Sequence, residues 1–291
     1  MASTKLSATL KALVAAPHAQ GGPVPLPSQS ATQRLFEGLS RSAASNGLGQ
    51  TTWLTLSSAA LVTLNSPATL CALYSYATQD YKAGSDRAQK ASEVAAILRE
   101  AGLKSISFSG IPRAINSLGA LRSHLEPEVF EKLSTKPLRE QSPSTVPSVL
   151  SSANSLWTSI YQPHDAKLLK KLAESHPDLP VHILSSHYGP LLADPFTRAP
   201  PGHAKLGRVL TSVVAIACLR AQGGVGPQVT SHVFGLRKSL EKGSGAEEEE
   251  VVEGQEWLAS EEGCKWVLEQ VDRIVEVVAG HSTFATNRAK L

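Results

Sequence analysis

The chain is poor in cysteine, aromatics, net charge and long apolar runs, and each shortage removes a class of protein. Three cysteines occur in 291 residues, Cys71, Cys218 and Cys264. They lie far apart, are odd in number and form no Cys-x-x-Cys. A disulfide framework is excluded and a reducing compartment is implied. No segment reaches the roughly 18 uninterrupted apolar residues of a membrane-spanning helix, so a soluble intracellular protein without a membrane span is expected. Lysine and arginine (28) nearly balance aspartate and glutamate (25), for a net charge of +3 with no basic block. That balance gives no reason to expect a nucleic-acid partner. Period-two alternation is almost absent as well, which leaves little room for strands.

What the chain does have is helical pattern, in an all-α arrangement. With 42% hydrophobic residues it can bury a sizeable core. SATQRLFEGLSRSAAS has a serine cap at Ser30 and Leu35 and Leu39 at i, i+4, and stops at Asn46-Gly47. TWLTLSSAALVTL is almost wholly apolar, the mark of a buried helix, and PATLCALYSYATQDY restarts on a proline suited to a first turn. RAQKASEVAAILREAGL closes on Gly102, and IPRAINSLGALRSHL again opens near a proline. KPLREQSPSTVPSV reads as a linker over 136–150. Further helices are expected at 165–175, 178–188, 206–221, 227–240 and 255–279, with Tyr188-Gly189 ending the second of these through a left-handed glycine cap. The acidic run in GSGAEEEEVVEG is expected to be a solvated loop.

TWLTLSSAALVTL-NSPATLCALYSYA and GRVLTSVVAIACL-RAQGGVGPQVTSHVFGL share one pattern: a buried helix, a proline-containing break and a second helix. The chain therefore divides into an N-terminal helix and linker (1–29), a helical domain (30–280) and a tail (281–291). Within the domain, two repeats at about 53–122 and 206–278 are expected to pack about a pseudo-twofold axis.

Both ends carry address-like features. The last residues are TNRAKL, and a small–basic–leucine tripeptide at a free carboxyl terminus is the pattern read by the peroxisomal import receptor. Ala289, Lys290 and Leu291 supply it, so the peroxisomal matrix is the expected location. At the other end, MASTKLSATLKALVAAPHAQ has lysines, serines and a stripe of Leu6, Leu10, Leu13 and Val14, and no acid precedes Glu37. A mitochondrial presequence has this composition, which makes a mitochondrial or dual location the alternative. The same residues also read as a short amphipathic helix that packs on the body and ends near Pro17.

Few residues point to chemistry on their own. Arg113 sits in the first turn of its helix, where the macrodipole disfavours a cation, so it calls for a partner such as a ligand carboxylate or an acid of the other repeat. Asn116 lies one turn on, and the two are candidate substrate-binding residues. His176, His182 and His187 are spaced by six and five, not the i, i+4 of a helical metal pair, and no metal is expected. AQGGVGPQ lacks the strand and the lysine of a phosphate loop, and no cofactor is expected.

FSGIPRAINSLGALR, with its aromatic-x-Gly-x-Pro opening, and RVLTSVVAIACL followed by PQVTSHVFGL resemble the carboxymuconolactone decarboxylase family of the AhpD-like superfamily. A chain of this kind with a carboxyl-terminal peroxisomal signal further resembles the fungal peroxisomal members of that group. The resemblance implies an all-α fold of two helical repeats and a homo-oligomer. It places the family's helix-opening arginine on Arg208, with Leu219 closing that helix, and the family's histidine on His232. The position four before that histidine, glutamate in the decarboxylases and a redox cysteine in the peroxidases, is Gln228, and the other peroxidase cysteine falls on Val225. In the first repeat the arginine and histidine positions fall on Trp53 and Leu73, so that repeat reads as a structural partner.

Three functions follow as expectations. One is a cofactor-independent enzyme with decarboxylase- or lactone-type chemistry on a small carboxylated or acyl metabolite. His232 would be its acid/base, Arg208 the carboxylate anchor and Gln228 the orienting group. The alternative is a non-catalytic binding or structural protein that keeps the fold. Thiol peroxidase activity ranks last, because it needs two cysteines able to meet and there is no Cys-x-x-Cys.

Overall fold

The computed structural model describes residues 5–19, 21–82, 85–241 and 251–280. The fold is all-α, as the patterning requires, with no strand among the described residues. α1 (Ala8–Val14) is capped by Ser7, whose hydroxyl accepts from Leu10 N–H. A 3-10 turn, Pro17–Ala19, follows. α2 (Gln29–Ser45) is capped by Ser28 rather than Ser30, and buries Leu35, Phe36, Leu39 and Ala43. α3 (Gln50–Thr63) is buried on every side from Thr52 to Thr63, as its nearly unbroken apolar run demands. α4 (Pro67–Thr78) starts on its proline.

α5 (Ser85–Lys104) passes through Gly102 instead of stopping there. A Cβ at Gly102 would stand 2.8 Å from Leu118 Cδ2, so this glycine admits a neighbouring helix rather than ending its own. α6 (Ile106–Ser109) and α7 (Ile111–His124) meet at Gly110, whose φ of 87° makes the corner. α8 (Pro127–Phe130) closes the first half.

Residues 131–145 run without helix. Residues 146–150, read from sequence as the end of a linker, open α9 (Val146–Tyr161). α10 (Asp165–Ser175) and α11 (Asp178–His182) follow, and the latter continues into a π-helix, Ile183–Leu192. The expected cap at Gly189 is not found. Gly189 lies inside the π-helix, and a Cβ there would stand 2.5 Å from the Val149 carbonyl, so it serves the close approach to α9. α12 (Gly207–Gln222) is buried almost throughout. Next come α13 (Gly226–Arg237), α14 (Gln255–Leu258) and α15 (Glu261–Ala279). The acidic run at 247–250 lies outside the described residues.

The body is built on α3 packed against α12, flanked by α2, α4, α5, α13 and α15. Their apolar faces form the main core, which includes Leu54, Leu61, Leu98, Val214 and Val271. A smaller core of Ala153, Trp157, Ile160, Tyr188 and Leu192 lies between α9 and the π-helix.

The two cores are joined by charge. Lys104, at the end of α5, is fully buried. Its Nζ donates to the Leu192 carbonyl at 2.7 Å and to Thr211 Oγ1 at 2.8 Å, and lies 3.0 Å from Asp194 Oδ1 as an ion pair. The other Asp194 oxygen accepts the Gly207 N–H at 2.9 Å, at the start of α12. Arg139 bridges Glu100 at 2.5 Å and stands 3.8 Å from Asp194. Leu192 ends the π-helix and Gly207 begins α12, so one ion pair satisfies a carboxyl-terminal carbonyl and an amino-terminal N–H together.

Breaking this pair from one side leaves a buried charge uncompensated. Lys104→Met should therefore cost about 3–5 kcal/mol in urea denaturation. Lys104→Met combined with Asp194→Asn should cost less than the sum of the single changes, with a coupling of about 0.5–3 kcal/mol. Strictly additive losses would show that the two charges do not act as a pair.

Candidate functional site

Arg208 stands in the first turn of α12 with 4% of its surface exposed. Its Nε donates to Ser159 Oγ at 2.8 Å, and Nη1 to Ser212 Oγ, one turn on, at 2.5 Å. Nη2 donates to the carbonyls of Ser159 and Gly235, at 3.1 and 2.9 Å. Both carbonyls are among the last of their helices, α9 and α13, where no intrahelical N–H follows to meet them. The guanidinium thus caps two helices from a third. Gly235 permits this closeness, because a Cβ there would stand 3.0 Å from Ile160 Cγ2 of α9.

His232 lies one turn before Gly235 on α13 and is also buried. Tyr161 Oη is 3.3 Å from His232 Nε2, and the Tyr161 and Tyr188 hydroxyls are 2.8 Å apart. The imidazole packs steeply inclined to the rings of Phe108 and Tyr161, at centroid distances of 5.6 and 5.9 Å. Trp157 packs on both tyrosines. Burial, aided by the Arg208 charge, lowers the His232 pKa to about 3, so the ring is neutral at physiological pH. Burial raises the pKa of Tyr161 and that of Tyr188, and both are neutral phenols. A chain with Tyr188 donating to Tyr161 and Tyr161 to His232 Nε2 leaves the imidazole proton on Nδ1, which has no hydrogen-bond partner among the described residues.

The structure places Arg208 and His232 in one cluster, and Gln228 outside it. Gln228 is exposed in the first turn of α13. Arg113 and Asn116 belong to a different place. Arg113 Nη1 donates to the Thr63 carbonyl at 2.6 Å, at the end of α3, and Asn116 Nδ2 to Asn65 Oδ1 at 3.0 Å. The partner that Arg113 calls for is thus a helix carboxyl terminus. Ala289, Lys290 and Leu291 lie outside the described residues.

Sequence reading missed Ser159, Tyr161, Tyr188 and Phe108 as members of the cluster. Phe108 belongs to the aromatic-glycine-proline segment, but nothing local shows that its ring faces a histidine 124 positions later. Of the cysteines, Cys218 and Cys264 are buried and burial raises both pKa values to about 11, while Cys71 is partly exposed and is raised by burial too. All three are thiols rather than thiolates near neutrality. No grouping of potential metal ligands is found among the described residues, and no described helix is long and apolar enough to cross a membrane.

A separate open groove of about 940 Å³ runs between α2, α4 and α7. Its walls include Leu26, Phe36, Pro67, Cys71 and Ala120, and its polar end carries His124, whose Nε2 is 2.8 Å from Ser75 Oγ. No lysine, arginine, aspartate or glutamate lines it, and neither does Arg208 or His232.

The depressed His232 pKa has a consequence for stability. The unfolded imidazole titrates near 6.5 and the folded one at about 3. Between those values the unfolded chain binds the extra proton, so stability is full above the upper value and falls as the pH falls. This group alone should contribute a slope approaching 1.4 kcal/mol per pH unit, about one proton, between roughly pH 6 and 4. His232→Asn should remove that share of the slope in urea titrations run across this range. An unchanged slope would mean that His232 is not held neutral.

No family model matches the chain, and no solved structure matches it. Among curated proteins, it is similar to Peroxisomal protein 2 of Saccharomyces cerevisiae (strain ATCC 204508 / S288c). The two are 31% identical over 194 residues, which cover 60% of this chain. The chain spans 64% of that relative's length.

Proposed function

We propose that the protein works in the peroxisome as a non-catalytic binding or structural member of the carboxymuconolactone decarboxylase-like proteins. The location is supported by the name of the yeast relative, Peroxisomal protein 2, together with the Ala289-Lys290-Leu291 ending. In this reading α3 with α4 and α12 with α13 are the paired units of the two repeats. Each pair is a buried helix followed by one with a proline in its first turn.

The observation that carries the non-catalytic reading is the saturation of Arg208. A guanidinium has five N–H donors, and at least four of those on Arg208 already meet protein oxygens. A carboxylate gripped through two parallel bonds would have to displace helix-capping contacts. His232, held neutral at a pKa of about 3, is also far from the range a general base needs at neutral pH.

A second reading is favoured by Nδ1 of His232, a buried N–H donor with no hydrogen-bond partner among the described residues. There the protein is a cofactor-independent enzyme on a small carboxylated or acyl metabolite, with His232 as acid/base, Arg208 as anchor and Gln228 orienting the substrate. Arg113 and Asn116 would bind the far end of the substrate. A bound carboxylate beside His232 would raise its pKa toward neutrality.

A thermal-shift and turnover screen of carboxylated metabolites separates the two. The expected outcome is no metabolite consumed by wild type, with Arg208→Ala destabilised whether or not metabolite is added. A metabolite that is consumed by wild type, but not by a folded His232→Gln variant, would overturn the non-catalytic reading.

Location has its own test. Deleting Leu291 should leave the melting temperature unchanged and move the protein from peroxisomes to the cytosol in imaging. Import that persists after the deletion would transfer the address to the amino-terminal segment.

A further inference from the structure

The amino-terminal helix was expected to pack on the body, and in the structure it does not. α1 has no buried residue: Leu10, Leu13 and Val14 are 49%, 60% and 67% exposed, and Leu6, just before the helix, is 55% exposed. Leu10, Leu13 and Val14 share one face of α1 and Leu6 stands just before its Ser7 cap, the pattern of a segment with an apolar surface to cover.

The uncovered groove lies within reach of that face. Gly21 packs against the end of α1, where a Cβ would stand 2.4 Å from the Val14 carbonyl, so the linker doubles back on the helix. Three residues later the chain is pinned to the body. Val24 N–H donates to the Asn65 carbonyl at 2.9 Å, and Ser66 Oγ donates to the Val24 carbonyl at 3.2 Å. Pro67 and Ala68, the next residues after that anchor, line the groove, as does Leu26 from the linker itself. Three residues span at most about 10 Å, so the end of α1 is held at the groove's mouth. Seven helical residues are also only about 10 Å long.

The two surfaces match in chemistry. The groove surface is mainly apolar, with Gln33, Ser75 and His124 among its polar groups, and no lysine or arginine lines it to pair with a phosphate or carboxylate group. An uncharged aliphatic stripe meets that description, and Lys11, between Leu10 and Leu13, can stay in water when the stripe is down. We propose that α1 is a lid: Leu6, Leu10, Leu13 and Val14 dock into the groove between α2, α4 and α7 of the same chain, and the structure shows the open state.

Cys71 reports on this directly, because it lines the groove and is partly exposed, while Cys218 and Cys264 are buried. The full chain is treated with N-ethylmaleimide and modification of Cys71 is followed by peptide mass spectrometry. It is compared with a Leu10→Gln, Leu13→Gln variant, which keeps good helix formers and leaves the core untouched. Cys71 in wild type should react about tenfold more slowly than in the variant, as a lid docked about nine-tenths of the time requires. The rate should not change on tenfold dilution of the protein. Equal rates in the two chains would overturn the proposal and leave the α1 face to another partner. Protection that disappears on dilution would overturn it too, since the groove would then be filled by the helix of a second copy.

Discussion

The buried ion pair of Lys104 and Asp194 is the constraint on which the rest of the arrangement depends. An ammonium taken out of water must find an anion and oxygen ligands, or the fold loses several kcal/mol. Lys104 finds them in three places: Asp194 in the loop before α12, Thr211 inside α12 and the Leu192 carbonyl at the end of the π-helix. The loop has little freedom left once these are made. They fix where the π-helix stops relative to α5 and α12. Tyr188 lies one turn earlier on that π-helix, so the same contacts determine which hydroxyl reaches Tyr161 and, through it, His232. A polar cluster on α9, α12 and α13 is therefore registered by a lysine on α5.

Much of the fold could be read from the sequence, because the strongest signals are local. The serine cap and Asn46-Gly47 stop of α2, the wholly apolar α3 and the proline starts of α4, α7 and α13 are set by nearby residues, and they recur in the structure with shifts of a residue or two. The misreadings concern glycines and prolines whose roles are tertiary. Gly102 and Gly189 look like helix stops, but their missing side chains make room for Leu118 and for the Val149 carbonyl. Pro147 looks like linker, but it opens α9, a helix whose Ala153, Trp157 and Ile160 recur at i, i+4 and i+7. That spacing was available, and the surrounding serines and prolines obscured it.

The cluster around Arg208 was only half legible. Arg208 and His232 came from a family resemblance, which supplies positions but no contacts. Their partners Ser159, Tyr161 and Tyr188 lie on α9 and the π-helix, in a stretch that the resemblance does not cover. The distance between them is a product of the Lys104 registration, and no local pattern carries it. Fractional burial is equally invisible from sequence, and burial turns His232 from a group poised near neutrality into one held neutral at a pKa of about 3.

Three cations of this protein share one solution to desolvation, and that similarity bears on function. Arg113 meets the last carbonyl of α3, Lys104 the last carbonyl of the π-helix, and Arg208 late carbonyls of both α9 and α13. Lys104 ends α5, where its own macrodipole also favours a cation. Arg113 and Arg208 instead sit in a first turn, where the macrodipole opposes a cation, and each is compensated by the opposite dipole end of a neighbour. A cation in an unfavourable local position thus marks a helix crossing here, as readily as it marks a ligand. The two cases differ in valence. A cation that anchors a substrate keeps donors for it, whereas at least four of the five donors of Arg208 are committed to protein oxygens. By the same measure His232 differs from Arg208, because its buried Nδ1 has no hydrogen-bond partner among the described residues, so the arginine is the frame of the cluster and the imidazole the one unsatisfied group of the pair.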